Sequence, residues 1–438
     1  MAVGRVMSEA ETTLAVGDEA RVHIRALASG GAGVGDLPDG RVVFVHRTAP
    51  GDVVDVRVRR LHPRWGQADL VTVVEPSPHR VKAPCPHYGE CGGCTLQHIA
   101  YDEQLNWKRR FVVEAMERIG KRTMDVPPVE PSPASTHYRN RVTFTLRRLS
   151  GGRMVAGFHA VGRPAHVVDI RGECLLAEPR ILEVWGALRE AWRSGTRPLP
   201  STKELRITLR ALPDGVVVVV RGGAAGWDPT LLLTHVPGIV SVWHHPGGAP
   251  KAVHIAGQVV HEDWGDERLP VGGQAFVQVN RVAAEALVEH VLAHVGVGTT
   301  AVDAYCGVGV YGRTLARAGW QVTGIELDAE ACHGARHEAP EGFHVVEGAV
   351  EEHLPASLPA DLVIVNPPRT GLQEWIPGML ALNPPKRLVY VSCDPATLAR
   401  DTERLGVGFR LDSLRSFDLF PQTSHVETVA LFSTERGR

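Results

Sequence analysis

No apolar run in this chain approaches the ~20 residues that a membrane-spanning helix needs, which excludes a helical membrane protein. The stretch from Met1 to Glu11 lacks a signal-peptide pattern, and 1–13 reads as a short disordered tail. There is no internal repeat and no low-complexity tract, so a solenoid is excluded. Cationic excess is missing too: 47 Lys and Arg stand against 49 Asp and Glu, a formal net charge of −2. A uniformly basic surface is therefore excluded, and any nucleic-acid contact has to use local patches. Cysteine is scarce, with seven residues, an odd number whose clustered spacing is not a disulfide framework. A cytoplasmic protein that uses thiols for metal binding or catalysis fits that usage. What is present is 438 residues, 44% of them apolar and 22% charged, enough for two or three domains with a core each.

Leu14 to Glu75 reads as all-β. Ala20-Arg21-Val22-His23-Ile24 alternates polar and apolar residues as a half-buried strand does. Arg41–His46 and Val53–Arg59 are further strands, separated by the turn Ala49-Pro50-Gly51-Asp52 and closed off by Pro76-Ser77-Pro78. The run Gly30-Gly31-Ala32-Gly33-Val34-Gly35 is expected to be a mobile or tightly turned loop, not a strand interior. Several short strands in so little chain predict a small barrel. A cysteine cluster follows, then a helix from Tyr101 to the glycine stop at Gly120. Tyr138 to His261 is β-rich, with a hairpin from Leu205 through Pro213-Asp214-Gly215 to Val220. From Pro270 onwards helix and strand patterns alternate, which predicts a doubly wound α/β domain.

In that last region a strand, Ala301 to Tyr305, runs into Cys306-Gly307-Val308-Gly309-Val310-Tyr311-Gly312 and then a helix. Glycines at a strand-to-helix turn let backbone approach a ligand closely. Glu326 ends the next strand, Gln321 to Ile325, nineteen residues after Gly307, and can accept both hydroxyls of a ribose. Gly307, Gly309 and Gly312 satisfy G-x-G-x-x-G, so NAD, S-adenosylmethionine and a purely structural turn all stay open on the glycines alone. Asp303 and Asn366-Pro367-Pro368-Arg369 favour S-adenosylmethionine, because both are usual in methyltransferases.

Cys393 follows the apolar strand Leu388 to Val391 and precedes Asp394-Pro395, a helix start. Carboxyl ends of parallel strands bind ligands, and a thiol at a helix N-terminus is expected to have a lowered pKa. The alternative is a small buried apolar cysteine. Glu427 lies in a C-terminal strand, His425-Val426-Glu427-Thr428-Val429-Ala430-Leu431-Phe432, as a general base or as an ordinary edge-strand glutamate; His425 is the rival base. Cys85, Cys91 and Cys94 form a tight triplet among glycines and prolines, and Cys174 is a possible fourth ligand. Zinc and an iron–sulfur cluster both accept four thiolates. One triplet plus a remote cysteine fits iron–sulfur better than paired zinc knuckles, and the triplet spacing is not that of radical S-adenosylmethionine enzymes.

Together these segments resemble the RNA uracil-C5 methyltransferases that make 5-methyluridine, over nearly the whole chain. The N-terminal barrel looks like a TRAM domain. Cys85, Cys91, Cys94 and Cys174 match the family's [4Fe-4S] ligands. Phe276-Val277-Gln278-Val279-Asn280 matches its cofactor segment. Asp303-Ala304-Tyr305-Cys306-Gly307, Glu326 and Asn366-Pro367-Pro368-Arg369 match its further cofactor and base-binding motifs. Ser392-Cys393-Asp394-Pro395-Ala396-Thr397-Leu398 matches the nucleophile motif, and His425-Val426-Glu427-Thr428 the general-base motif. The chain departs from the pattern at Asn366, where many members carry Asp and one rRNA-modifying branch Asn. It departs again at Ala349, where an Asp or Asn near the adenine is usual and Glu347 is the nearest substitute.

The resemblance implies an α/β multidomain protein. Its parts are an OB-like TRAM β-barrel (14–78), a β-rich central iron–sulfur and RNA-binding domain (79–265) and a C-terminal Rossmann-like S-adenosylmethionine-dependent methyltransferase domain (266–438), with helix 101–120 packing on the last. Cys393 would add to C6 of uracil and Glu427 would remove the C5 proton, with Gln278, Tyr305, Glu326 and Asn366 at the cofactor. The expected partner of this cytoplasmic monomer is 23S rRNA, with tRNA as the close alternative. Candidate RNA contacts are Arg57-Val58-Arg59-Arg60 with His62, Arg64 and Trp65; Lys108-Arg109-Arg110; and Arg139-Asn140-Arg141 with Arg147-Arg148. Each patch is alternatively a solvated charged face. Intact Cys393 and Glu427 speak against a non-catalytic RNA-binding protein on the same fold. An amide N-methyltransferase needs no thiol and usually has an aromatic residue where Arg369 stands.

Overall fold

Alternating burial along β1 (Glu19–Leu27) turns Val22 and Ile24 inward and leaves Arg21 and His23 in solvent. The computed structural model to which this strand belongs describes residues 14–434 except 195, 197, 266, 274 and 276; the 1–13 tail and Phe276 lie outside the described residues. With β2 (Gly33–Asp36), β3 (Val42–Val45), β4 (Val53–Leu61) and β5 (Trp65–Glu75), β1 closes a barrel in the order β1-β2-β3-β5-β4. Val22, Ile24, Val43, Val45, Val54 and Val56 fill its interior. One expectation is corrected here: Gly33–Asp36 is a strand, paired to both β1 and β3. A Cβ on Gly33 would lie 2.0 Å from Thr48 Oγ1, and one on Gly35 2.4 Å from Val22 Cγ1. The glycines are there because a narrow barrel leaves no room for a side chain, not because the backbone needs a loop.

The barrel belongs to a compact unit that takes in the chain up to Pro84, Cys94–Trp107 and Gln422–Ser424. Within it Gln104 Nε2 donates to Leu96 O, Ile99 O and Gln422 Oε1, at 2.9–3.1 Å. The second unit takes in Cys85–Gly93, Lys108–Pro421 and the chain from His425. Helix α1 (Tyr101–Arg118) is followed by β6 (Arg141–Arg148), β7 (Met154–Gly157), the short pair β8 (His159–Ala160) and β9 (Arg163–Val167), and α2 (Pro179–Arg193). Next come β10 (Glu204–Leu212), β11 (Gly215–Arg221), α3 (Thr230–His235), β12 (Ile239–His245) and β13 (Val253–Gly257). The main sheet here has the order β13-β12-β11-β10-β6-β7. The β10–β11 hairpin turns at Pro213-Asp214, with Leu212 opposite Gly215. Trp185 of α2 packs on Phe144, with ring centroids 4.4 Å apart, so α2 covers the Phe144 face of this sheet.

A hairpin, β14 (His261–Trp264) and β15 (Glu267–Pro270), leads into α4 (Arg281–Ala293). Alternation then gives β16 (Thr300–Ala304), α5 (Val310–Arg317), β17 (Gln321–Glu326), α6 (Ala329–Arg336), β18 (Phe343–Glu347), α7 (Val350–His353) and β19 (Leu362–Val365). It continues with α8 (Ile376–Leu382), β20 (Arg387–Ser392), α9 (Pro395–Leu405), β21 (Arg410–Phe417) and β22 (Glu427–Ser433). The strand order is β18-β17-β16-β19-β20-β22-β21, parallel from β18 to β20. β19 is buried along its whole length, as a strand covered on both faces must be. The order reverses between β16 and β19, and a ligand crevice opens at the carboxyl ends on either side of such a switch. β22 runs antiparallel to both neighbours, so its first residue, Glu427, lies at the same edge as the last residues of the parallel strands. Glu427 therefore opens an interior strand, not an edge strand. No helix among the described residues is long and apolar enough to cross a membrane.

Candidate active site

The last pair of the β20–β22 ladder is Ser392 opposite Thr428, so the next residues along, Cys393 and Glu427, stand opposite one another. The turn that presents Cys393 is held by its own sequence. Ser392 Oγ donates to Asp394 O at 3.0 Å and accepts from Asp394 N at 3.2 Å. Asp394 caps α9 by accepting from Ala396 N and Thr397 N, at 2.9 and 3.0 Å, and Pro395 takes the first helical position. Each residue of the motif except the thiol is thus spent on geometry.

The expected lowering of the Cys393 pKa is corrected. Burial pushes the thiol up to about 11, the nearby Glu427 and Asp394 charges add to this, and Arg369 opposes it. The α9 amides that could have stabilised a thiolate already donate to Asp394. Glu427 is 3% exposed, and burial raises its carboxyl to about 8 against the pull of Arg369. Arg369 is thus the shared cation that favours ionisation of both groups. Its Nη2 also lies 3.3 Å from His425 Nε2. Burial, with Arg369, Arg139 and Lys108 adding to it, lowers His425 to about 4. His425 is therefore neutral near pH 7, with one ring nitrogen facing a guanidinium, a poor arrangement for a base.

Beside this pair, a crevice is lined by Trp264, Gln278, Tyr305, Gly307, Tyr311 and Asn366, among others. Tyr305 turns the chain out of β16 with φ +62° and donates its hydroxyl to Glu351 at 3.0 Å. Glu326 Oε2 accepts from Gly307 N at 2.9 Å and Oε1 from Asp328 N at 2.7 Å, which leaves each oxygen a lone pair for a further donor. Asp303 is fully buried; its Oδ2 accepts from Gly312 N at 2.9 Å, and its Oδ1 has no donor among the described residues. Burial raises its carboxyl to about 7. Two of the three glycines serve packing: a Cβ on Gly309 or Gly312 would come within 2.7 or 2.4 Å of the Phe343 ring. Glu347, at the end of β18, is paired to Arg336 at 3.2 Å, and Ala349 begins α7 without a side-chain cap. Acid, amide and aromatic groups around a strand-end turn fit an adenosine-type ligand such as S-adenosylmethionine.

Sequence reading missed the supports. Asp401 is buried and accepts from Leu372 N and Tyr390 Oη, both at 2.8 Å. Arg400 Nη2 donates to Thr370 O at 2.8 Å, so α9 pins the loop that carries Asn366 and Arg369. Lys108 is also corrected: it is fully buried, with Nζ 2.5 Å from Asp418 Oδ1 and 3.0 Å from Phe420 O, and offers nothing to RNA. Contacts between residues far apart in sequence, such as Leu372 N to Asp401 and Lys108 to Asp418, leave no local signal.

None of Cys85, Cys91, Cys94 and Cys174 is in a disulfide. Gly93 N donates to Cys91 Sγ at 3.4 Å, and Gln97 Nε2 to Cys94 Sγ at 3.1 Å. Burial pushes the Cys174 thiol up, while the Leu176 and Ala177 amides pull it down. Such N–H donors suit thiolate ligands of a cluster. Among the described residues, however, no group of three or more His, Cys, Asp or Glu side chains is gathered closely enough to hold a metal ion. On the barrel, His62 stacks on Trp65 at 4.0 Å, Arg57 pairs with Glu19 and Arg59 lies 4.0 Å from Asp69. Arg147 pairs with Glu204, while Arg148 donates to the carbonyls of Pro200 and Thr202.

Two family models match the chain: the TRAM domain over residues 14–71 and tRNA (Uracil-5-)-methyltransferase over residues 355–435. An uncharacterized RNA methyltransferase of Gloeobacter violaceus is 36% identical over 94% of this chain and 96% of its own. One of Halalkalibacterium halodurans is 31% identical over 97% of this chain and 99% of its own. Among solved structures, the Pyrococcus abyssi tRNA (uracil-54, C5)-methyltransferase in complex with S-adenosyl-L-homocysteine is similar, with a TM-score of 0.71 and 29% identity over 94% of this chain and 99% of that one. With a TRAM barrel at one end and, at the other, a sheet edge that brings a thiol and a buried carboxyl together beside a cofactor crevice, this chain belongs to the S-adenosylmethionine-dependent RNA uracil-C5 methyltransferase family.

Proposed function

We propose that this enzyme methylates C5 of a specific uridine in 23S rRNA, with Cys393 as nucleophile and Glu427 as general base. The observation that carries the reading is the register that sets Cys393 opposite Glu427 at the ligand edge of the sheet. Uracil C5 is too weak a nucleophile on its own. The Cys393 thiol gives up its proton to solvent, with Arg369 favouring the anion; the thiolate sulfur then forms a bond to C6, and the C5–C6 π pair moves to make C5 nucleophilic. Bound S-adenosylmethionine supplies the electrophilic methyl group. The Glu427 carboxylate then takes the proton from C5, and the C6–sulfur bond breaks to return the thiolate. The target base has to leave its stack to reach the pair. Asn366 supports the rRNA reading, since an amide at this position marks an rRNA-modifying branch of the resemblance; its side chain would bond the uracil edge. Similarity to a tRNA (uracil-54, C5)-methyltransferase supports tRNA as the second reading. Mapping 5-methyluridine in both RNAs from a strain lacking the gene decides: loss of one 23S rRNA site is expected, and loss from tRNA alone overturns the rRNA reading.

The same reading gives Gln278, Tyr305, Glu326 and Asn366 to the cofactor, with Glu326 accepting from the ribose hydroxyls. Glu326→Ala is expected to weaken S-adenosylmethionine binding by about 1.5–3 kcal/mol, one to two decades. Unchanged affinity by calorimetry removes Glu326 from the site. The thiols of Cys85, Cys91, Cys94 and Cys174, with N–H donors on three of the sulfurs, support a [4Fe-4S] cluster as the resident metal group. Protein purified without oxygen is expected to be brown with four irons per chain, and Ser at any of the four positions to bleach it. Zinc in place of iron overturns this assignment.

A further inference from the structure

Alternation puts Arg141, Thr143, Arg206, Thr208 and Arg221 on the face of the middle sheet opposite the one that α2 covers. Arg206 on β10 stands directly opposite Arg221 on β11, and both are exposed. Among the described residues neither meets a carboxylate. Arg147, close by on β6, shows the ordinary solution, a pairing with Glu204. Arg141 makes one long contact, Nη1 to Ala275 O at 3.4 Å, and burial together with Arg210 and Arg221 pushes its guanidinium down to about 10. The charge of Arg210 itself is met by Glu262 at 2.8 Å. Between the unmet cations, Thr143 Oγ1 and Thr208 Oγ1 lie 2.8 Å apart.

Like charges directly opposite on adjacent strands destabilise a sheet, and a half-buried cation met only by one long carbonyl contact costs more. An arrangement that works against the isolated protein but suits a polyanion points to the polyanion. Val217, Val219 and Arg210 on the same face are buried, so only the strip around Arg206 and Arg221 is exposed. We propose that this strip holds the phosphodiester backbone of the substrate RNA, with Arg206, Arg221 and Arg141 on neighbouring phosphates and the two threonine hydroxyls between them. The inference rests on the RNA-methyltransferase reading of the chain. Because Arg141 also reaches Ala275, three residues before Gln278, RNA seated here abuts the segment that leads to the cofactor crevice.

The test is binding of labelled 23S rRNA and tRNA transcripts to the full-length protein and to Arg206→Gln/Arg221→Gln, from 50 to 200 mM salt. Loss of two contacts is expected to make the slope of log affinity against log salt shallower by about 1.4, at about 0.7 per phosphate for single strands. Arg141→Gln should remove about 0.7 more. S-adenosylmethionine affinity should stay as in the parent protein, and the melting temperature of the double variant should hold or rise as the like-charge pair is relieved. A parental slope in the variants, or a fall in melting temperature that accompanies the binding loss, overturns the proposal. If the parent protein binds neither transcript, the RNA reading of the chain fails first and takes the proposal with it.

Discussion

Glu427→Gln is expected to stop the enzyme halfway, as a methylated RNA–protein adduct, while Cys393→Ala forms no adduct and no product. The two groups lie at the same end of the β20–β22 ladder, and Glu427→Gln removes a negative charge that holds the Cys393 pKa up, so it leaves the thiol competent to add. The order of bond making separates them. Without the thiol, C5 is never activated, and methylation should fall below detection. Without the carboxylate, addition and methyl transfer still occur, but the C5 proton stays and the carbon–sulfur bond cannot break; turnover should fall by about 10²–10⁴. A denaturing gel with label in the methyl group reads both outcomes. Burial holds the Glu427 carboxyl at about 8, so the base form grows as pH rises through that value. Adduct breakdown in the parent enzyme should therefore accelerate with pH up to about 8 and then level off, a limb that the Gln variant lacks. Normal turnover by Glu427→Gln would reopen the question of the base, and His425 would be examined next despite its low pKa and its guanidinium neighbour. Methylation by Cys393→Ala would sink the covalent route.

Lys108→Met is expected to cost about 3–5 kcal/mol of stability, since it takes the ammonium of a fully buried ion pair away from the Asp418 carboxylate. Lys108 and Asp418 are both fully buried, and the ammonium also holds Phe420 O, so the pair fixes the lead-in to His425 and Glu427. Urea unfolding should show the midpoint drop, and Lys108→Met combined with Asp418→Asn should recover much of it. A cost of no more than about 1 kcal/mol for the single variant would mean that the charges are solvated, as in an exposed pair. Activity should fall together with stability, because the segment that leads into Glu427 loses its anchor.

The amino-acid sequence determined by itself what rests on short-range pattern. The alternation of Ala20 to Ile24 gives a barrel strand, Pro213-Asp214 a hairpin, the apolar run of β20 a buried strand, and Ser392 to Thr397 a capped turn that presents a thiol. Each of these depends on neighbours within a few residues, so composition and spacing carry it. Tertiary structure alone decided what depends on which distant groups come together. Gly33 and Gly35 are strand residues because Thr48 and Val22 crowd them. Lys108 turns inward because Asp418, hundreds of residues away, takes its charge. Glu427 opens an interior strand because β22 inserts between β20 and β21, and that burial gives its carboxyl the pKa of a base poised near neutrality. Cys393 has a raised pKa, not a lowered one, because the fold buries it, its nearest charges are mostly negative, and the α9 amides are taken by Asp394. Burial and electrostatics sum over every atom nearby in space, whatever its place in the chain, and no local spacing encodes that sum.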